Sequence, residues 1–538
     1  MPSSNMTLLS YFTRATQLFP EKEVVSCPPD GDQRYTYAAF ADRVTGLAVG
    51  LAELGVAEGA RVGTIGYNHH RHYEAYFAVP LSGGQLHTIN AVLPDSHVSY
   101  IVNDAADSVL LVDPGDPLET VERVWDDIDC VEHVVVMSDS VPDTTLPAVA
   151  YDDIVVEDAT VEWPELAPDQ PAGMCYTSGT TGKPKGVEYT QSMLYAHGMM
   201  LMSPASMCID ESDVVLHTVP MYHVNAWGLP YAATVAGAKQ VFPGPAPTVE
   251  ELAHLIEAEG VTLTGGVPTV WISMLEYLED HDVDISSLDR IVAGGSAVPE
   301  GVMRTYEEKY GVTIDQAWGM TETMSISSVS RPKSYMREWT QERQFEKRAK
   351  QGILAPSLDM KVVNTKGEEI SWDGETFGEL WIRGPTVVDE YYNRPDATAD
   401  SFEGDWLKTG DIVTVDGHGY IELVDRDKDI IKSGGEYISS IELENQLMGH
   451  DEITEAAVFA IPHEKWQERP AATLKLRPES TLTADDVREF LSESYPRWWL
   501  PDTILFVDEV PKTATGKFDK KRLREQFEQT TLEQTPDR

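Results

Sequence analysis

The sequence predicts an α/β protein: a large N-terminal domain of parallel sheets flanked by helices plus a β subdomain, then a small α+β C-terminal domain. Three observations carry that reading. Helical and strand apolar periods alternate between residues 37 and 310, hairpin signals take over after Gly378, and a charged run at 425–429 precedes a last stretch of mixed strands and helices. A length of 538 residues, at roughly 100 to 200 residues per domain, agrees with more than one folding unit.

From 37 to 54 the apolar residues Phe40, Val44, Leu47, Ala48, Leu51 and Leu54 recur at helical spacing, with Thr36 as N-cap and Gly55 ending the helix before the apolar run 62–65. Thr248-Val249-Glu250-Glu251 is a capping box opening a helix to Glu259, which Gly260 closes before the β-prone run 261–264. Ile291-Val292-Ala293 runs into Gly294-Gly295-Ser296 and a helix over 299–310, a strand, turn and helix of the kind at which parallel sheets bind ligands. Segment 331–350, charged and poor in apolar residues, reads as an exposed helix or excursion and receives no chemistry. Strand signals at 378–384 and the turn Asp416-Gly417-His418-Gly419-Tyr420 before 421–424 mark the β subdomain. Asp425-Arg426-Asp427-Lys428-Asp429 lies between two apolar runs and marks an interdomain hinge at 425–430, dividing the chain into 1–424 and 431–538. A strand over 456–461, a helix from Thr483 with Val487, Phe490 and Leu491 on one face, and a strand over 504–507 make up the small domain. The last dozen residues, polar and aperiodic, are expected to fray.

Lys plus Arg total 41 against 89 Asp plus Glu, a formal net charge of −48 spread along the whole chain. Phosphate backbones repel such a surface, which excludes nucleic acid as a partner. A uniform acidic excess is the pattern of a halophilic protein, whose salt-rich cytoplasm screens the self-repulsion. The four cysteines show neither a CxxC pair nor zinc spacing, and their thiols are expected to stay reduced. The N-terminal stretch lacks a basic region followed by an apolar one, and no apolar run reaches the ~18 residues of a membrane span. A cytoplasmic protein without a membrane span is the expectation. Asn68-His69-His70-Arg71-His72 has no Cys or carboxylate partner at metal-ligand spacing and receives no assignment.

The strongest local signal is Tyr176-Thr177-Ser178-Gly179-Thr180-Thr181-Gly182-Lys183-Pro184-Lys185-Gly186-Val187. Three glycines let the backbone approach a polyanion, four hydroxyls and the exposed N–H groups bond phosphate oxygens, and two lysines neutralise charge. A P-loop fails on spacing, because Gly179 and Gly182 enclose two residues and Lys183 is followed by Pro184.

This loop, together with Trp318-Gly319-Met320-Thr321-Glu322, Lys408-Thr409-Gly410-Asp411, Asp425-Arg426-Asp427-Lys428, Ser433-Gly434-Gly435-Glu436 and Pro511-Lys512-Thr513-Ala514-Thr515-Gly516-Lys517, resembles the adenylate-forming (AMP-binding) superfamily of acyl-CoA synthetases, peptide-synthetase adenylation domains and luciferases. Within it, Val219-Pro220-Met221-Tyr222-His223-Val224-Asn225-Ala226-Trp227-Gly228 and the run 431–440 look most like medium- and long-chain fatty acyl-CoA synthetases.

The resemblance implies two half-reactions that use a fatty acid, ATP, Mg²⁺ and coenzyme A. A carboxylate attacks the ATP α-phosphate to give acyl-AMP and pyrophosphate, and the CoA thiol then displaces AMP. By resemblance Glu322 holds Mg²⁺ with Thr177 helping, Thr321 bonds phosphate, and Thr177, Ser178, Gly179, Thr180, Thr181, Gly182, Lys183 and Lys185 cradle the phosphates. Asp411 accepts the ribose hydroxyls, while Gly295, Ser296, Gln316 and Ala317 line the adenine. His223 lies beside the acyl carboxylate, with Val224 and Trp227 at the junction of nucleotide and acyl tunnel. Lys517 reaches into the site during adenylation, and Lys428 is the pivot about which a mobile small domain turns to present Gly434 and Gly435 to the CoA pantetheine. Lys432 and Tyr437 contact the adenylate from that domain, and Arg426 joins the nucleotide-binding set.

Acetate-specific relatives close the acyl pocket with a Trp where this chain has Gly319, so Gly265, Gly266 and Gly319 are expected to leave room for a longer chain, and Trp318 stands where Tyr is common. Loading of a carrier protein, an aryl-CoA ligase activity and a catalytically silent nucleotide-binding module are the alternatives, and a homodimer stands open beside a monomer. With a net charge of −48, molar KCl is expected to raise the unfolding temperature and activity together, whereas a neutral osmolyte at matched osmolarity does much less. The Debye length falls from about 30 Å at 0.01 M to about 3 Å at 1 M salt, so full stability in dilute buffer by calorimetry would remove the halophilic reading.

Overall fold

The computed structural model describes residues 6–28, 31–177, 183–364, 366–426, 429–433, 436–450, 452–463, 465–478, 480–512 and 518–533, with backbone alone at 426, 432, 436, 437, 467 and beyond 527. Its contacts divide the chain into two compact units: Met1–Met360 with Ile382–Leu407, and Lys361–Trp381 with Lys408–Arg538. The fold is α/β, with parallel sheets in the larger unit as expected.

In one sheet of the larger unit, strands Ala148–Ala150, His133–Val136, Val109–Val112, Arg61–Ile65, Gln85–Thr88 and Pro171–Tyr176 run parallel, and Gly186–Thr190 closes the edge antiparallel. In the other, Thr313–Trp318, Arg290–Gly294, Leu263–Gly266, Val214–Leu216, Lys239–Phe242 and Glu23–Ser26 run parallel between antiparallel edges. Helix Tyr37–Glu53 leads from one sheet into the other, and helix Val249–Glu259 supplies one of the long crossovers that parallel pairing needs. The first buries Phe40, Val44, Leu47 and Leu51, and Thr36 caps it by accepting from the Ala39 N–H at 3.4 Å. The second opens on the expected capping box and ends on Gly260 at φ +67°, a left-handed stop.

Helix His70–Leu81 is buried along its whole length, so its polar groups must find partners inside the protein. His69 Nε2 meets Asp113 Oδ1 at 2.6 Å, His72 bonds Tyr67 O and Thr64 Oγ1, and Glu74 meets Arg43 at 2.7 Å. Burial pushes the His72 imidazole down to about 4, which keeps it neutral. The histidine-rich run is thus a structural element of the core.

Several expectations shift in detail. The strand expected at 261–264 is Leu263–Gly266, because the Thr262 hydroxyl is drawn to Asp213 at 2.7 Å and Val261 packs in the core. The helix expected over 299–310 is α-helical at Glu300–Thr305 and continues as a π-helical turn, Tyr306–Tyr310. Segment 331–350 does hold a helix, Gln341–Arg348, but Phe345 and Arg348 are buried, so one face packs.

The smaller unit carries the hairpin Trp406–Val415 with Ile421–Arg426, whose turn is tied by Asp416 Oδ1 accepting from the His418 and Tyr420 N–H groups. Its second sheet runs Glu436–Ile438, Ile431–Ser433, Gln467–Leu476, Ile453–His463, with Thr503–Phe506 parallel to Gln467–Leu476. Side chains alternate across that sheet. Val458 joins Leu443, Leu447, Val487 and Leu491, whereas Ala457 and Phe459 join Val510, Leu523 and Phe527. The last contacts bear on the expected fraying: helix Lys520–Glu533, anchored by Leu523 and Phe527, runs into the last dozen residues as far as Glu533, and residues 534–538 lie outside the described residues.

Lys520 Nζ, buried, meets Glu444 Oε1 at 2.8 Å and donates to Ser440 Oγ, which itself donates to Asp425 Oδ2 at 2.6 Å. Arg524 meets Asp429 at 2.5 Å, so the last helix holds one end of the charged run directly and the other through Ser440. Lys520→Met leaves Glu444 buried without its cation and is expected to destabilise this unit by about 3 to 5 kcal/mol in urea unfolding. Adding Glu444→Gln should recover part of that loss, and a single variant as stable as the parent would show the pair to be solvated.

Candidate active site

Strands Pro171–Tyr176 and Gly186–Thr190 pair antiparallel with Tyr176 opposite Gly186, so the loop of hydroxyls, glycines and lysines is the connection at the end of this pair. Ser178, Gly179, Thr180, Thr181 and Gly182 lie outside the described residues. The neck of the loop is closed by Thr177, whose N–H donates to Lys185 O at 2.9 Å and whose hydroxyl accepts from the Lys185 N–H at 3.3 Å. Both lysines sit over aromatic rings: Lys183 Nζ is 4.5 Å from the centroid of Tyr100, and Lys185 Nζ is 3.7 Å from that of Tyr391. Tyr176 donates to Asp104 at 2.9 Å, and Arg394 bridges Asp104 and the Tyr100 hydroxyl. Tyr392 N donates to Gly186 O at 2.8 Å, and Arg61 covers the Tyr392 ring.

Thr321 and Glu322 stand in the 3₁₀ turn Thr321–Thr323 after strand Thr313–Trp318. Thr321 O accepts from the Tyr189 hydroxyl at 2.7 Å, which ties the turn to the strand that follows the loop. Glu322 is buried, its carbonyl accepts from Val388 N, and its Oε1 accepts from the Tyr391 hydroxyl at 2.6 Å. Thr177, Lys185, Thr321 and Glu322, distant in sequence, are thereby brought together. Burial lowers the Lys185 ammonium from its usual range, against which Glu322 and Asp400 act, and burial beside Glu322 raises the Tyr391 phenol. Sequence reasoning missed Tyr391, Tyr392, Tyr100 and Arg394. The adjacent pair Tyr391-Tyr392 in an otherwise polar stretch was the available signal, as conspicuous aromatics in a loop often serve a site.

Among the described residues no group of three or more His, Cys, Asp or Glu side chains is placed to hold a metal ion. A single enclosed carboxylate suits Mg²⁺ that arrives already coordinated by phosphate oxygens and water, and Glu322 fits that description.

Gly295, at φ +90°, and Ser296 are exposed at the carboxyl end of strand Arg290–Gly294, where parallel sheets present ligand sites. Gln316 is enclosed: its Oε1 accepts from Val298 N at 2.6 Å and its Nε2 donates to Ala349 O at 2.8 Å. Its side chain is committed to holding two segments, Ala317 is buried beside it, and the backbone of both runs within the sheet, where Gln316 O accepts from Ser330 N at 2.8 Å. His223 is half-buried and leads into a left-handed run, with φ of 47° at Val224, 52° at Asn225, 50° at Ala226, 57° at Trp227 and 72° at Gly228. Four successive non-glycine residues in that region are a strained backbone, held here by complete burial and by Asn225 Oδ1 accepting from Thr88 Oγ1.

That turn delivers the Trp227 indole against bare backbone. A Cβ on Gly294 would lie 3.2 Å from Trp227 Cη2, and one on Gly265 3.5 Å from Cζ3, so indole carbons lie against those glycines. Gly266 faces Trp271 in the same way, at 3.1 Å. Gly319 overturns its expectation: a Cβ there would lie 1.0 Å from Ser325 O, so its bareness admits the neighbouring backbone and leaves no room for an acyl chain.

In the smaller unit Asp411 is buried opposite Arg426, and its N–H donates to Thr409 Oγ1 at 3.1 Å. Gly410 turns into it at φ +69° with its N–H on Glu379. Lys432 pairs with Tyr437 across a strand pair, their side chains outside the described atoms as is that of Arg426. Lys428, Gly434, Gly435 and Lys517 lie outside the described residues.

Residues 12–392 match the AMP-binding enzyme family, and residues 442–517 match the AMP-binding enzyme C-terminal domain. The chain is 43% identical over 530 residues to the long-chain-fatty-acid–CoA ligase of Thermus thermophilus, covering 98% of this chain and 96% of that one. It is 36% identical over 532 residues to the medium-chain-fatty-acid–CoA ligase of Ectopseudomonas oleovorans, covering 98% and 97%. The crystal structure of the anthranilate CoA ligase AuaEII in complex with anthranoyl-AMP superposes with a TM-score of 0.86 at 24% identity, covering 98% of each chain, a likeness of fold.

Gly319→Ala is expected to destabilise the larger unit by about 3 kcal/mol or more, because backbone must move to admit the methyl group. Thermal unfolding checks this, and an unchanged Tm would show that the Ser325 carbonyl can swing aside.

Proposed function

The chain belongs to the AMP-binding enzyme family, and on that premise we propose that it is an acyl-CoA synthetase activating a fatty acid at the expense of ATP. A carboxylate oxygen of the acid attacks the α-phosphorus and pyrophosphate leaves, giving acyl-AMP. The CoA sulfur then attacks the acyl carbon and AMP leaves with the bonding electrons, giving the thioester. The observation that carries the reading is that Glu322 and Lys185 both contact Tyr391 at the neck of the 177–185 loop, an anion and a cation where a metal–triphosphate complex needs both. Near-full-length similarity to ligases of long- and medium-chain fatty acids supports the substrate class.

Glu322, with the Thr177 hydroxyl, would hold the Mg²⁺ of the ATP complex, which would neutralise phosphate charge. Thr321 bonds phosphate, and Lys183 and Lys185 leave their aromatic seats for phosphate oxygens, where charge-assisted bonds are stronger. Asp411, an enclosed carboxylate, accepts the ribose hydroxyls. His223 orients the acyl carboxylate at the entry of the left-handed turn. The charged run 425–430 is the hinge between 1–424 and 431–538, with Lys428 as pivot; Lys517 serves adenylation, and Gly434 and Gly435 serve thioester formation.

Pyrophosphate release with a panel of acids of increasing chain length, at high salt and with and without CoA, tests the reading. Release without a thioester would point to carrier-protein loading, and no release with any acid would end it. Because Lys517 stabilises charge only as the α-phosphate reacts, Lys517→Ala is expected to lower acyl-AMP formation by about 10² or more. Thioester formation from presynthesised acyl-AMP should stay within about twofold, a split that an equal loss in both assays would refute.

A further inference from the structure

We propose that Tyr391 is a positioning residue that keeps Lys185 and Glu322 apart, its ring face holding the ammonium and its hydroxyl holding the carboxylate, so that both remain available to a metal–triphosphate ligand. The inference rests on the reading of Glu322 and Lys185 given above and adds a third residue to it. Its geometry is specific. One ring has Lys185 Nζ 3.7 Å above its centroid and donates its phenol hydrogen to Glu322 Oε1 at 2.6 Å.

Without such a spacer the two charges would close on each other in a partly dehydrated setting, where an ion pair forms readily and must be broken before either group serves a ligand. A π face attracts the ammonium while its charge stays whole, and a carboxylate that accepts one phenol hydrogen on Oε1 keeps further lone-pair sites for a cation. The ring is placed by its own surroundings, not by the two charges. Tyr391 N donates to Thr398 Oγ1 at 2.9 Å, the ring packs edge-on against Phe402 at 6.3 Å, and Tyr392 N anchors the next residue to Gly186 O. Lys185 in turn is fixed by its backbone pairing with Thr177. Both charges therefore approach a ring that is already in place.

The test compares the full-length parent with Tyr391→Phe, which keeps the face and loses the hydroxyl, and Tyr391→Leu, which loses both. Calorimetric binding of ATP is measured with excess MgCl₂ and with EDTA, alongside thermal unfolding and the Mg²⁺ dependence of pyrophosphate release. Tyr391→Phe should shrink the preference for Mg·ATP over metal-free ATP by about 10-fold, the size typical of losing a partner that orients a metal ligand, with Tm nearly unchanged. Its half-saturating Mg²⁺ should rise while kcat at saturating Mg²⁺ is kept. Tyr391→Leu should also weaken ATP binding in EDTA, since Lys185 loses its seat. A Tyr391→Phe protein that loses Tm and kcat together with the Mg·ATP preference intact would mark Tyr391 as mere packing and overturn the proposal, as would no change at all. If the parent releases no pyrophosphate with any acid, the functional reading fails, while the binding comparison still decides the role of Tyr391.

Discussion

Keeping a few cations usable among many acids is the constraint on which this site depends. With 41 basic residues against 89 acidic ones, a lysine near any carboxylate is drawn into an ion pair that neutralises both. At the neck of the loop the protein answers with aromatic rings. Lys183 lies over Tyr100 and Lys185 over Tyr391, each ring holding a cation by its quadrupole while leaving the charge intact, whereas Arg61, over Tyr392, also meets Glu188 at 3.1 Å. Phenol hydroxyls face the acids and the backbone: Tyr391 donates to Glu322, and the neighbouring Tyr176 and Tyr189 donate to Asp104 and Thr321 O. The segment carrying Tyr391, Tyr392 and Arg394 is as much part of the site as the glycine-rich loop it braces.

A second constraint is crowding at the carboxyl ends of the parallel strands. The left-handed run from Val224 to Gly228 brings Trp227 across Gly265 and Gly294, where a side chain on either glycine would meet the indole. Beyond the next strand, Gly319 lies directly under the Ser325 carbonyl. These glycines are requirements of close backbone and ring packing, and the strain of the turn is sustained by the completeness of its burial. In the smaller unit the same economy appears as charge pairing. Lys520 with Glu444, Ser440 with Asp425 and Arg524 with Asp429 fasten the charged run at 425–429 to two helices.

Much of the architecture was legible in local pattern. The capping box at Thr248, the helix start at Thr483, the closing Gly260 and the apolar stripe Phe40, Val44, Leu47 and Leu51 are short-range signals whose physics acts within a few residues. The terminal helix was not legible, since its sequence is polar and its stability comes from Lys520, Leu523 and Phe527 meeting partners far away in the chain. The histidine-rich run gave no sign that it would be a helix buried on every side, because polarity argues for exposure until Asp113, Ser26 and Thr64 arrive to satisfy it.

By itself the sequence determined the fold class, the family and the order of the motifs, because these reside in residue identity, spacing and periodicity. It also marked Thr177, Lys185, Thr321 and Glu322 as members of one site. Only the tertiary structure decided what stands between them. That Tyr391 contacts both Lys185 and Glu322, that Gln316 spends its amide on Val298 and Ala349, and that Gly319 makes way for a carbonyl all depend on residues brought together from separate stretches of the chain. No local pattern encodes such meetings, because burial and hydrogen-bond satisfaction are properties of the packed interior and exist only once the chain has closed around it.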